Sequence, residues 1–173
     1  MRAELLKIAE SVAHLAGSHL MKRPDAFTFT EKSSAVDFAT QMDQQAEALI
    51  VKQILNLRPD DGIIAEEGSA KESTSGITWV IDPLDGTVNY LYNLPGWNVS
   101  VAAKDKDGVI VGVVYAPSVD GFWSAVRGEG ATYNGVKIKC NEPVLLEKAL
   151  LATGFAYDLN LRISQGEAMA KLL

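Results

Sequence analysis

Residues 79–90 read Trp-Val-Ile-Asp-Pro-Leu-Asp-Gly-Thr-Val-Asn-Tyr, and this stretch decides the fold and the chemistry. An apolar strand leads directly into a turn that carries two carboxylates, Asp82 and Asp85. Burying a carboxylate without a partner is costly, and a bound cation supplies such a partner. The stretch therefore predicts Asp82 and Asp85 as metal ligands, although Asp-Pro-Leu-Asp-Gly is also an ordinary turn sequence.

Gly86 and Thr87 stand where a helix would begin after this turn. Backbone N–H groups at a helix start have no partner within the helix, so they can bind phosphate oxygens, and glycine allows a close approach. Magnesium prefers oxygen ligands and usually keeps waters and substrate phosphate in its shell. The pattern therefore predicts hard cations held beside a phosphate.

Glu66 and Glu67 follow the short apolar run Ile63-Ile64-Ala65. If that run pairs beside the strand of Asp82, Glu66 becomes a third carboxylate at the same place. The alternative is that Glu66 is a solvated loop acid.

Composition limits the classes of protein to consider. With 173 residues, 47% of them hydrophobic, the chain is long enough for one globular domain with a real core. Its 16 Lys and Arg against 22 Asp and Glu give a net charge of -6, which argues against a nucleic-acid or anionic membrane surface. Cys140 is the single cysteine, so an intramolecular disulfide and a cysteine-based zinc cluster are excluded. Nothing resembles a signal peptide or membrane span, and we expect a cytoplasmic protein.

Two amphipathic helices are predicted before the acidic turn, because apolar residues recur there at intervals of three and four. The first stripe comprises Leu5, Ile8, Ala9, Val12, Leu15, Ala16 and Leu20, and the second comprises Met42, Ala46, Leu49, Ile50, Ile54 and Leu57. Thr40, three residues ahead of Asp43, predicts a capping arrangement for the second helix. Between the helices, residues 27–29 predict a short strand and residues 32–35 a loop.

Short strands separated by turn residues follow the acidic turn and predict an antiparallel meander. They cover residues 99–103, 109–115 and 122–126, with a further tight turn at residues 133–136. Residues 150–152 predict one more strand, and a helical pattern begins at Leu161. Helix, helix and then meander is the order of an α+β fold.

Four segments resemble the inositol monophosphatase family of magnesium-dependent, lithium-sensitive phosphatases. Residues 82–90 resemble its first signature, and residues 32–43 resemble its upstream lysine loop and helix start. Residues 65–69 resemble its metal-binding glutamate segment, and residues 112–117 its following strand. The segments occur in the family's order over nearly the whole chain.

The resemblance implies a role for each matching residue. The ligands of two or three Mg²⁺ ions would be Glu66, Asp82, Asp85 and the backbone carbonyl of Leu84. Asp43, Thr87 and Glu66 would be the catalytic residues, with Asp43 and Thr87 holding and activating the attacking water. The amides of Gly86 and Thr87 would bind the phosphate. Lys32 would lie in a mobile loop over the site, and Glu67 is a weaker candidate.

The implied function is hydrolysis of a small phosphate monoester, such as inositol monophosphate, by metal-activated water. Family members are longer and carry a second signature, a Trp-Asp pair, whereas Trp79, Trp97 and Trp123 are followed here by Val, Asn and Ser. We therefore expect a truncated chain with little turnover. The alternative is a non-catalytic dimerising or regulatory module on the same half-fold, and a homodimer is expected in either case.

The resemblance also implies a fold, a layered α/β sandwich in which two N-terminal helices pack on an antiparallel sheet. Residues 1–148 would form this metal-binding domain. Residues 149–173 would begin a second α/β sub-domain that is cut short, with a second sheet starting near Leu150.

Overall fold

The computed structural model of the protein describes residues 1–34, 37–156 and 158–172, without the side chains of residues 31–38. The chain divides into two compact units. The first comprises Met1–Phe29 and Ala39–Lys139, and the second comprises Thr30–Phe38 and Cys140–Leu173. The boundary expected between residues 148 and 149 stays a prediction.

Helices α1 (Arg2–Leu20) and α2 (Gln41–Leu57) occupy the two stretches with helical periodicity, so both predictions are confirmed. Most of the apolar stripe of each helix is buried, because its three- and four-residue spacing places it on one face, whereas Leu15 and Leu57 are exposed. Helix α2 begins at Thr40 with the predicted capping box. A third helix, α3 (Thr87–Leu91), is only five residues long.

A small two-stranded sheet joins β1 (Phe29–Ser34) and β2 (Asp37–Thr40). The strand expected at residues 27–29 therefore begins at Phe29, and the loop expected from residue 32 is a strand as far as Ser34. The polar side chains of residues 32–34 favoured a loop, whereas pairing with β2 gives their backbone a strand partner. The last residue of the expected loop, Ala35, lies outside the described residues.

The main sheet has eight strands in the order β10-β9-β8-β7-β6-β5-β3-β4. Their bounds are β3 Gly62–Ala65, β4 Ala70–Lys71, β5 Thr78–Asp85, β6 Asn98–Asp105, β7 Gly108–Ala116, β8 Gly121–Val126, β9 Gly130–Tyr133 and β10 Val136–Ile138. The meander predicted over residues 99–126 is confirmed as antiparallel, and β5, β9 and β10 extend it with further antiparallel pairs. Strands β3 and β5 pair in parallel, so the sheet is mixed. The fold is thus α+β, with helices layered on a mixed sheet.

One face of the sheet forms the core with α1 and α2. Alternate residues of the central strands are buried, as period-two side-chain placement requires, and they include Trp79, Ile81, Val99, Val101 and Val113. Helix α1 contacts β6 and β7, and α2 contacts β5. Helix α2 therefore lies beside the strand that carries the acidic turn.

The second unit contains α4 (Leu159–Ala170), which confirms the helix predicted from Leu161. Asp158 caps α4 by accepting a hydrogen bond from the Leu161 N–H over 2.9 Å. The strand predicted at residues 150–152 is wrong, because these residues have no regular structure. Leu150 is fully exposed, so its apolar run neither packs in a core nor pairs as a strand, and no second sheet starts there.

In the part of the chain that the structure describes, no helix is both long enough and apolar enough to cross a bilayer.

Candidate metal centre

Glu66 and Asp82 are neighbours because β3 and β5 run parallel. Ala65 lies opposite Ile81, and the Glu66 N–H donates to the Ile81 carbonyl over 3.1 Å. The next residue of each chain segment is a carboxylate, and the two side chains share a hydrogen bond. The pairing on which the third carboxylate depended is therefore present.

Asp82 is in an environment that disfavours its negative charge. Burial, followed by the hydrogen bond with Glu66 and the negative charges of Glu66 and Asp85, raises the pKa of Asp82 to about 8. The Leu84 N–H donates to Asp82 Oδ1 over 3.2 Å, which acts in the opposite direction. A proton or a bound cation would each relieve the repulsion between these carboxyls.

Strand β5 continues past Asp82, where the sequence pattern ended it, through an irregularity to Asp85. Asp82 lies opposite Ser100 and Asp85 opposite Asn98, so three steps along β5 match two along β6. The exposed Asp85 carboxylate accepts a hydrogen bond from Asn98 Nδ2 over 2.8 Å. Ser100 and Asn98 are two residues apart and share one face of the sheet, so the irregularity places the two acids opposite positions of the same face.

The donor chemistry of this region suits Mg²⁺, since the carboxylates of Glu66, Asp82 and Asp85 and the carbonyl of Leu84 are all hard oxygen donors. Their arrangement is looser than that of a finished site. Among the described residues, no three Asp, Glu, His or Cys side chains are grouped so that they could hold one metal ion. These residues carry the donor atoms that Mg²⁺ prefers. To share one ion, their carboxylates would have to lie closer together.

Asp43 and Thr87 form a second group, in which α2 meets the start of α3. The Asp43 side chain is only 1% exposed. Its Oδ2 accepts hydrogen bonds from the Thr40 N–H over 2.7 Å and the Thr40 hydroxyl over 2.6 Å. Its Oδ1 accepts from the Thr87 hydroxyl over 2.9 Å, and that hydroxyl also lies 3.2 Å from the Leu84 carbonyl. Leu84 therefore links the two groups.

Gly86 is required by the backbone at the junction of β5 and α3. Its φ is +84°, in the left-handed region that favours glycine. A Cβ atom at this position would lie 2.7 Å from the Gly96 carbonyl oxygen and 3.2 Å from the Trp97 Cα. The glycine permits the close approach of the backbone at position 86, directly before Thr87, to Gly96 and Trp97.

Two weaker predictions fall at the margin of this region. The half-buried Glu67 uses its backbone N–H to donate to Glu47. Lys32 lies in β1, but its side chain is outside the described residues.

Sequence reasoning missed two buried acids, Glu47 on α2 and Asp61 just before β3. Both are almost fully buried, at 3% and 1% exposure. The signal for Glu47 was present, because it occupies a position of the buried stripe beside Ala46. Asp61 gave no such signal, because it stands in a polar turn sequence.

Comparisons with known proteins find relatives in sequence and in fold. Nus factor SuhB of Haemophilus influenzae is 40% identical over 157 residues, which are 88% of this chain and 58% of that protein. The structure of extragenic suppressor protein suhB from Bartonella henselae has a TM-score of 0.90 at 27% identity, covering 98% of this chain and 66% of that one. An inositol monophosphatase from Anabaena has a TM-score of 0.74 at 34% identity, covering 90% and 57%.

The chain thus spans 58% of the length of the curated relatives that it matches. The sequence model of the inositol monophosphatase family matches residues 1–173. This chain belongs to the inositol monophosphatase family.

Proposed function

We propose that this protein is a Mg²⁺-dependent phosphatase that hydrolyses a small phosphate monoester such as inositol monophosphate. The observation that carries the proposal is the hydrogen-bonded pair of Glu66 and Asp82, linked through Leu84 to the Asp43–Thr87 pair. One group supplies oxygen ligands for cations, and the other supplies a hydroxyl held by a buried carboxylate. Membership of a family of metal-dependent phosphatases supports this assignment.

Each residue has a distinct role in this proposal. Glu66, Asp82, Asp85 and the Leu84 carbonyl hold two or three Mg²⁺ ions. The ions, when bound, lower the pKa of a coordinated water and neutralise phosphate charge. Thr87 has one proton, which it donates toward Asp43, so its oxygen remains an acceptor that can orient a water molecule.

The start of α3 is the proposed contact for the phosphate group. The N–H groups of Gly86 and Thr87 open this helix, where the helix's own hydrogen bonds do not use them. Glycine at position 86 leaves space for a phosphate oxygen to approach the backbone. The net charge of -6 adds a reason for cations to mediate the binding of an anionic substrate.

The second candidate function is a non-catalytic, dimerising or regulatory module. It is favoured by the name of the relatives at 40% identity, Nus factor SuhB, which implies a role with partners. The two candidates differ in what they require of the acidic residues. A phosphatase needs Mg²⁺-dependent binding of the phosphate ester, whereas a partner-binding module does not.

The test of the proposed function is the Asp82→Asn variant, measured by thermal unfolding with and without millimolar Mg²⁺. A ligand that binds only the folded state stabilises it, by about 3 kcal/mol at a hundredfold excess over its Kd. We expect Mg²⁺ to raise the Tm of the wild-type chain and to leave that of Asp82→Asn unchanged. Asp107→Asn, an exposed acid in the β6–β7 turn, is the matched control and should respond like the wild type.

An equal response of Asp82→Asn and wild type to Mg²⁺ would show that Asp82 is not a ligand. Calorimetric titration of inositol monophosphate then separates the two functions. Mg²⁺-dependent binding of the ester supports the phosphatase. Self-association without any ester binding supports the regulatory module.

A further inference from the structure

We propose that Glu47 is a positioning residue that holds Glu66 in place for cation binding. Glu47 does not touch the expected ions or substrate; it acts through the backbone of the turn that follows β3. The inference rests on the proposed function, because it assigns a role to Glu47 at the same cation site.

Glu47 binds this turn with both oxygens of its buried carboxylate. Its Oε2 accepts a hydrogen bond from the Glu67 N–H over 2.7 Å, and its Oε1 accepts one from the Ser69 N–H over 2.9 Å. The side chain is only 3% exposed. Hydrogen bonds to an ionised acceptor are stronger than neutral ones, and water competes little for a buried carboxylate.

These bonds complete the fixation of the backbone around Glu66. The Ala65 N–H donates to the Ser69 carbonyl over 3.0 Å, and the Glu66 N–H donates to the Ile81 carbonyl over 3.1 Å. With the bond from Glu67 to Glu47, three consecutive N–H groups have defined acceptors. The backbone at residue 66 is therefore fixed by its own N–H hydrogen bond and by those of the residues before and after it.

Glu47 also links this turn to the other half of the site. It lies one helical turn after Asp43 on α2, so both carboxylates project from the same buried face. Asp43 binds the Thr87 hydroxyl, whereas Glu47 binds the Glu67 and Ser69 amides. One rigid helix thus sets the position of both groups.

A carboxylate is the side chain that this position requires. Two N–H groups point at its two oxygens, and each oxygen is an acceptor. In a Glu47→Gln variant, the amide nitrogen would face one of these N–H groups, donor against donor. The turn would lose one of its two bonds with almost no change in side-chain volume.

The decisive experiment measures the Kd of Mg²⁺ by calorimetry, well below the Tm, for the wild type, Glu47→Gln and Glu72→Gln. Residues that orient metal ligands typically change metal affinity by roughly 10- to 100-fold when they are replaced. We expect Glu47→Gln to raise the Kd by about that factor. Glu72→Gln removes the same charge from an exposed site after β4, and we expect its Kd to equal that of the wild type.

A structural role alone would lower the Tm of Glu47→Gln and leave the Kd of the folded protein unchanged, and that result would overturn the inference. The amide proton resonances of Glu67 and Ser69 give a second, cation-free readout. Both should move in Glu47→Gln while the amide of Glu66 stays bonded to Ile81. Unmoved resonances would also overturn the inference.

Two further outcomes keep this proposal separate from the proposed function. A wild-type chain that binds no Mg²⁺ contradicts the proposed function, and with it the role of Glu47 in cation binding. If the wild type and Glu47→Gln bind Mg²⁺ with the same Kd, this result contradicts the role of Glu47 and leaves the proposed function in place. If Glu47→Gln does not fold, hydrogen exchange of the wild type decides, since unprotected Glu67 and Ser69 amides would refute the contact.

Discussion

The parallel pair of β3 and β5 carries acids at both ends, and the surroundings of these acids differ. At the start of β3, Asp61 accepts hydrogen bonds from Arg58, Ser75 and Trp79. At the far end, Asp82 faces the carboxyl of Glu66 and feels the charge of Asp85. The first end surrounds its acid with donors, and the second brings acids together.

The pKa directions follow this difference. Burial acts to raise the pKa of Asp61, but the hydrogen bonds from Arg58, Ser75 and Trp79 outweigh it and hold the pKa below its usual value. Burial also raises the pKa of Asp82, and its acidic neighbours add to the effect. An acid with a satisfied charge is a structural element, whereas a cluster with unrelieved charge is typical of a site that binds something.

The largest effect is expected at the donor-rich end, from Asp61→Asn. The new amide would oppose the donors that now bind the carboxylate, and Arg58 would lose its buried ion partner and keep the exposed Glu4. We expect the free energy of unfolding to fall by about 3 kcal/mol, as measured by urea titration. Asp60→Asn is the matched control, because its side chain is exposed and its contacts to Thr74 and Ser75 use the backbone carbonyl. Similar losses in both variants would mean that the buried contacts of Asp61 contribute little.

Two glycines that flank β5 give a second comparison between the two ends of this strand. Gly76 and Gly86 share a φ of +84°, but a Cβ would have open space at Gly76 and would lie 2.7 Å from the Gly96 carbonyl at Gly86. The free energy of unfolding should fall by about 1 kcal/mol in Gly76→Ala, because of the backbone conformation alone. In Gly86→Ala it should fall by about 2 kcal/mol more, because the new Cβ also meets the Gly96 carbonyl. Thermal and urea unfolding of the two variants give the difference. Equal losses would show that the junction at Gly86 relaxes without cost.

The last expected effect is a pH dependence at the acidic end, measured without divalent cations. Asp82 keeps its proton in the folded protein up to about pH 8, whereas the unfolded chain releases it near pH 4. Between these values the folded state binds more protons, so the unfolding free energy contributed by Asp82 falls as pH rises.

Asp82→Asn removes this titration. We expect the stability of the variant relative to the wild type to rise between pH 4 and pH 8. Urea titrations in chelator across this range measure the difference. A constant difference would mean that Asp82 titrates alike in the folded and unfolded states. Asp61, whose pKa is lowered, should act oppositely and lose its contribution only as pH falls below its usual range.

Local patterns were enough to predict the helices and the meander. Helical spacing, the Thr40–Asp43 cap and alternation in the strands each depend on neighbours within a few residues. The strand predicted at residues 150–152 failed for the converse reason, because an apolar run needs a pairing partner that lies elsewhere in the chain. Strand β1 differed from prediction for the same reason, since its partner β2 determines its length.

The acidic turn was predictable because Asp82 and Asp85 interrupt an apolar strand, and the family resemblance added Asp43 and favoured Glu66. What no local pattern could supply was the parallel pairing of β3 with β5, on which the neighbourhood of Glu66 and Asp82 depends. The position of Glu47 on the buried stripe of α2 was readable, but its partners were not, for a related reason. An acid on a helix is normally solvated, and only the approach of the turn after β3 gives this one its partners.

The hydrogen bond between Thr87 and Asp43 spans 44 positions of the chain. Closing a loop of this length costs entropy, which the docking of β5 on α2 offsets. The candidate site therefore depends on tertiary docking and cannot form from local structure alone. A chain with its helices and hairpins formed, but with α2 not yet docked on β5, would lack the arrangement of the candidate metal centre.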